Sequence, residues 1–149
     1  MPTSMSELRQ QLSAIEPDES TYEGIGPSEV ELLNQLLDDE ETWLAARAVH
    51  ALSRIDTHAA HEAIVAAVAD PRMEVRISVA ASADALPPNL SDEILSRLLH
   101  DSRIGVRKFA IKAVSQRNSE TIRRGIREIA TTDPDPGLRR IAAAKATAV

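Results

Sequence analysis

The sequence predicts an all-α chain of the α-α superhelix class, a solenoid of about four helix pairs behind one N-terminal helix. Three observations carry that prediction. An apolar anchor recurs at Leu44, Val75, Val106 and Leu138, at steps of 31, 31 and 32 residues. A fixed period in this range marks units that cannot bury their apolar faces singly and must stack. An aspartate stands five residues ahead of each anchor, at Asp39, Asp70, Asp101 and Asp133. Around each aspartate lie two apolar stripes at helical spacing, one before it and one after it.

The N-terminal helix is predicted from Ser4 to Glu7, which reads as a capping box followed by Met5, Leu8, Leu12 and Ile15 at helical spacing. A helix this short needs something to pack on, and covering the apolar edge of the first repeat supplies it. The alternative is a mobile arm. From Glu16 to Pro27 the Pro, Gly and acidic content is that of a linker, so residues 1–27 stand apart from a repeat domain over 28–149. Its units span about 28–57, 58–88, 89–117 and 118–149.

The first helix of each unit is predicted from Leu32, Leu33, Leu36 and Leu37, then Ile64, Val65 and Val68, then Ile94, Leu95, Leu98 and Leu99, then Ile122, Ile126 and Ile129. The second helix follows the aspartate, as in Val106, Phe109, Ala110, Ala113 and Val114, where alanines let helices approach closely. Pro71, Pro134 and Pro136 lie in the turns between first and second helices and mark helix starts, since proline near a start sacrifices no hydrogen bond.

Asp70 and Arg76, Asp101 and Arg107, and Asp133 and Arg139 repeat at one internal spacing. An Asp at a helix start accepts from free backbone N–H groups, and an Arg six residues on can reach a carboxylate of its own or the next unit. Repeated in register, the pairs predict a structural ladder between units. The first unit has Ala45 where the Arg is expected, which suits a terminal unit.

Asp-x-x-x-x-Val-Arg followed by an alanine-rich helix, with an aliphatic helix before it, resembles a HEAT repeat, and the roughly 30-residue period is similar to the subclass found in phycobilisome lyases. The resemblance covers about residues 28–149 and implies that the second helices line a concave surface. It places Ala46, Arg47 and His50, then Ile77, Ser78 and Ala81, then Lys108, Phe109 and Lys112, then Arg140, Ile141 and Ala144 on that surface. It implies a fold and no particular activity, since HEAT repeats serve many functions on one scaffold; the reading adopted is a non-catalytic binding module. The candidate partner-binding set is Ile77, Ala81 and Phe109 for apolar contact, with Arg103, Lys108, Lys112 and Arg140 for carboxylates.

Charge narrows the partner. Up to Asp70 there are 14 acidic and 3 basic side chains, and from Pro71 onward 9 acidic and 14 basic, within an overall net charge of −6. The predicted rod is therefore acidic at one end and basic at the other, which favours an acidic protein partner for the C-terminal half, or head-to-tail self-association. The acidic segment Glu16 to Glu23 is a further candidate to fold back on that half. Nucleic acid is the runner-up partner, weakened by 2% aromatics and the acidic balance. Trp43 reads as packing or edge cover.

Catalysis finds little support. There is no cysteine, Gly-rich phosphate loop or nucleophile elbow. His58, His61 and Glu62 tempt a metal reading, but a Zn or Fe site needs three or four convergent ligands, and His50 is expected on the preceding helix. No metal or cofactor is expected. The phycobilisome resemblance leaves bilin-lyase or chaperone activity as an enzymatic alternative. Arg123, Arg124 and Arg127 form a cluster that Glu120 and Glu128 balance. No apolar run reaches membrane-spanning length, and the N-terminus lacks a signal pattern, so a cytoplasmic protein without a membrane partner is expected.

Overall fold

The computed structural model describes residues 4–15 and 17–149 and is all-α over them, with no strand. The helices are α1 (Met5–Leu12), α2 (Val30–Leu36), α3 (Thr42–Ser53), α4 (His58–Ala67), α5 (Met73–Ser82), α6 (Pro88–Leu98), α7 (Ile104–Ala113), α8 (Glu120–Thr132) and α9 (Pro136–Ala148). The second helices α3, α5, α7 and α9 start at the same steps as the anchors. All four anchors are buried, none more than 2% exposed. Chain-neighbour pairs α2 and α3, α3 and α4, α6 and α7, and α8 and α9 pack together, and the fold class is the α-α superhelix class expected.

The chain divides into two compact units, one ending at Ser78 and one running Val79–Val149. In the first, α2 packs on α3 and α4, α3 on α4, and α1 on α3. In the second, α6 packs on α7 and α8, and α9 on α7 and α8. First helices thus neighbour first helices, and second helices neighbour second helices, as α6 with α8 and α7 with α9 show. The cores are built from Leu, Ile, Val and Ala, with Tyr22 the one buried aromatic side chain among the described residues.

Local chemistry sets the helix starts. Ser4, Thr57, Ser119 and Asp135 accept the N–H of Glu7, Ala60, Ile122 and Leu138 from N-cap positions of α1, α4, α8 and α9, each cap contributing about 1 kcal/mol. Pro136 opens α9 and Pro88 opens α6, where no helical N–H is lost. Pro71 instead stands in the turn, two residues ahead of α5. Gly137 lies where a Cβ would come 2.9 Å from the capping Asp135 Oδ2, so a side chain there would crowd the cap.

The N-terminal segment shows two departures. Helix α1 ends at Leu12, where the Ser13 N–H turns back to the Gln10 carbonyl, so Ile15 leaves the apolar stripe and is 95% exposed. Leu8 and Leu12 are fully buried, and Arg9 pairs with Asp39, fixing α1 against the first unit. The expected linker is also folded. Glu19–Tyr22 and Pro27–Glu29 are 3₁₀ turns, Thr21 and Tyr22 are buried, and Gly24 makes the bend between them with φ of +78°. Glu19 bonds Arg54 within the same unit, at 2.6 Å and 3.0 Å. Glu16, the first residue of the predicted acidic segment, lies outside the described residues.

Candidate functional site

The repeated aspartates work mainly on the backbone. Asp39, Asp70, Asp101 and Asp133 each accept the N–H two residues on, from Glu41, Arg72, Arg103 and Asp135, at 2.9 Å every time. The arginine six residues on donates to the carbonyl of the same aspartate, from Arg76 to Asp70 at 3.0 Å, from Arg107 to Asp101 at 3.0 Å and from Arg139 to Asp133 at 2.7 Å. Each pair therefore staples its own turn.

The carboxylates have more varied partners. In the second unit Arg107 spans to the next repeat, with Nε 2.9 Å from Asp133 Oδ2 and Nη2 3.2 Å from Oδ1. Burial alone would raise the Asp133 carboxyl, but hydrogen bonds from Arg107 and the Asp135 N–H outweigh it and hold the pKa below the usual value. Asp70, with Ala45 one repeat before it, is held by Arg72 instead, whose Nε and Nη2 each lie 3.0 Å from a carboxylate oxygen. The same guanidinium donates to the Leu37 and Asp39 carbonyls, at 2.5 Å and 2.7 Å. Asp70 too titrates low: burial opposes the shift, and the Arg72 side chain and N–H overcome it. Asp39 is lowered by the Glu41 N–H and then by Arg9, so α1 supplies the arginine that a preceding repeat would supply.

The predicted binding residues divide between the units. Helix α7 buries Val106, Ala110, Ile111 and Ala113, which turns Ile104, Lys108, Phe109 and Lys112 outward. Ile104 is 52% and Phe109 36% exposed, and Lys112 Nζ rests 5.7 Å from the Phe109 ring centroid. Arg103, the residue before α7, and Arg140 on α9 are exposed. Among the described residues no carboxylate pairs with Arg103, Lys108, Lys112 or Arg140. By contrast Glu120 binds both Arg127, at 2.5 Å, and Arg123, at 3.3 Å, so that cluster is largely balanced. Ile77 is half-buried in the first unit, and Ala81 is exposed near the end of α5 in the second.

A second feature, in the first unit, escaped the sequence reading. A cleft of about 540 Å³ is lined by Pro17, Tyr22, Trp43, Ala46, His50 and Ser78, with Arg47 and Asp18 at its walls. The chain's one Trp and one Tyr thus share a cavity. The Tyr22 and His50 rings lie 4.5 Å apart, and the Arg47 guanidinium sits 5.2 Å from the Trp43 ring. Arg47 is held there by the Leu12 and Ala14 carbonyls, and Trp43 donates to Glu41 at 3.0 Å while staying 44% exposed. Burial lowers the His50 pKa and raises that of Tyr22. Ala46, Arg47, His50 and Ser78 were assigned by the repeat register to the concave surface; the folded 17–22 segment was not legible as their opposite wall.

His58 and His61 each face their own acid, Glu62 at 2.8 Å and Asp56 at 3.5 Å. Among the described residues no group of three His, Cys, Asp or Glu side chains could hold a metal ion, and no helix is long and apolar enough to cross a membrane.

The fold thus defines an α-helical repeat protein with an aromatic cleft on one unit and, on the other, a basic face that no carboxylate pairs with among the described residues. No family model matches the chain, nor does any curated protein. It is similar to the crystal structure of an engineered protein from the Northeast Structural Genomics Consortium, with a TM-score of 0.51 and 17% identity over 96% of this chain and 78% of that one. At that identity the likeness shows the fold alone.

Proposed function

We propose that this chain is a non-catalytic binding module of HEAT type that captures another protein through the outward face of α7 and the adjoining Arg140. The observation that carries the reading is the row Arg103, Lys108 and Lys112, without carboxylate partners among the described residues, along the helix that exposes Phe109, whose ring lies 5.7 Å from the Lys112 Nζ. Lys108 and Lys112 are four apart on one helix face and project together. Phe109 between them offers apolar contact at the centre, and Arg103 and Arg140 add guanidinium groups suited to bidentate carboxylate binding. Such a face steers an acidic surface to itself and rejects a basic one.

The test is Lys108→Glu with Lys112→Glu, compared with the unaltered chain as bait in lysate of the source cells, with retained proteins read by mass spectrometry. Two reversed charges should weaken capture about 10-fold or more and leave far-UV circular dichroism unchanged, because both side chains point outward. Equal capture by both chains would refute the site. The same unpaired cations favour one second reading, a phosphate backbone. A steeply salt-dependent mobility shift of random duplex DNA, lost in the double variant, would put nucleic acid in place of the protein partner.

A further inference from the structure

We infer that a second copy of this chain is one partner of the α7 face, and that the Trp43–Tyr22 cleft of the first unit is where it docks. The inference rests on the reading of α7 as a binding surface and adds a receptor for it. Four large apolar side chains are exposed among the described residues: Ile15 and Trp43 in the first unit, Ile104 and Phe109 in the second. Large apolar groups left in water near a concavity mark places where another surface fits.

Charge selects which surface. The first unit, through Ser78, carries 15 acidic and 5 basic side chains, and the second carries 8 acidic and 12 basic, giving −10 and +4. Two first units repel, two second units repel, and a first unit attracts the second unit of another copy. Around the cleft the signs follow suit. Asp18 lies on its wall, Glu41 is bonded to the Trp43 indole, and the Asp18 carboxyl is held below its usual pKa by the Ser20 hydroxyl and N–H, so it stays charged. Arg47 opposes them, but two main-chain carbonyls fix it and it lies by the Trp43 ring.

The shapes agree as well. A helix offers Ile104, Lys108 and Lys112 at successive turns, with Phe109 beside them, and the cleft volume falls in the range of about 300–1,000 Å³ that holds more than one large side chain. Phe109 and Ile104 would lie against Trp43, Pro17 and Ala46, while Lys108 and Lys112 reach Asp18 and Glu41. The joint is heterologous, because different patches meet.

Sedimentation velocity on the full chain tests this. At low ionic strength the weight-average mass should rise above 16.2 kDa with concentration, and it should return to that value at about 0.5 M salt as the charges are screened. Trp43→Ser, at an exposed position, and Lys108→Glu with Lys112→Glu should each sediment as the single chain. Mixed in equal amounts they should regain a species of about 32 kDa, twice 16.2 kDa, since one variant keeps an intact cleft and the other an intact α7 face. A monomer at every concentration, or a mixture that fails to associate, overturns the inference. If the unaltered chain stays monomeric while charge reversal still abolishes capture from lysate, only self-pairing is wrong. If association and capture both survive charge reversal, the α7 face is wrong too.

Discussion

Replacing Arg107 by Ala should be among the most damaging single changes in the second unit, and the structure sets the size of the effect. The side chains of Arg107 and Asp133 are 12% and 4% exposed. The substitution removes two donors from the carboxylate and one from the Asp101 carbonyl, leaving Asp133 with the Asp135 N–H. Breaking a buried pair by removing one partner costs about 3–5 kcal/mol, because a charge stays behind without compensation. Deleting the arginine also opens a path for water, which places the cost near the lower end, about 3 kcal/mol. With a urea m-value of roughly 1.5 kcal/mol per molar, the midpoint followed by circular dichroism should fall by about 2 M. On an Asp133→Asn background the same substitution strands no charge and should cost only about 1 kcal/mol, a coupling of about 2 kcal/mol. A single-variant loss below 1 kcal/mol, or strict additivity, would show that the pair does not join the repeats energetically.

Leu12→Ala should cost about 3 kcal/mol, since the side chain is fully buried between α1 and its support; unfolding followed by the fluorescence of Trp43, which lies in the same unit, would show an unshifted midpoint if α1 were a loose arm. Stability should also fall with acid in two steps. The folded-state pKa of His50 is depressed by burial, so its contribution is present above the ordinary value of 6.5 and is lost as pH falls through the folded value; His50→Gln should flatten the decline that sets in as pH falls below 6.5, and an unchanged profile would contradict it. Asp39, Asp70 and Asp133 are depressed as well, so their contribution is present above 3.8 and is lost at lower pH. Arg107→Ala should make that second loss shallower, as measured by urea titrations across the acid range.

What could be read from the chain beforehand was what depends on neighbours close in sequence. The helix pairs follow from stripes such as Ile122, Ile126 and Ile129, which are all buried, and the four turns follow from an Asp whose capping partner is two residues away. The cleft was not legible, because Pro17, Trp43 and Ser78 come from three segments that only the folded chain assembles. Its one trace was the register that put Ala46, Arg47, His50 and Ser78 on one surface. Trp43, read as packing or edge cover, also lines the cleft. Composition misled over residues 17–27, the described part of the stretch whose Pro, Gly and acidic side chains suggested a linker. Thr21 and Tyr22 bury themselves there because Asp18 closes a capping box around the turn and Arg54 holds Glu19.

The repeat signature also separates two tasks that one residue pair performs. The backbone task, in which an Asp takes the N–H two residues on and the Arg returns to that Asp's carbonyl, needs only residues within its own turn, so it recurs with almost the same lengths. The carboxylate task needs an arginine presented by a different segment, and there the solutions diverge: Arg9 from α1 for Asp39, Arg72 from within the turn for Asp70, Arg107 from α7 for Asp133. A carboxylate in a half-closed turn cannot stay unpaired without a desolvation cost, so losing the expected arginine at Ala45 is met by whichever guanidinium the local fold can bring. Arg72→Ala should therefore behave like Arg107→Ala and unlike a surface substitution, although nothing in the repeat pattern singles out position 72. Equal stability of Arg72→Ala and the unaltered chain in urea would mean that Asp70 tolerates solvation, and that the ladder is an ornament of the turns and not a support between them.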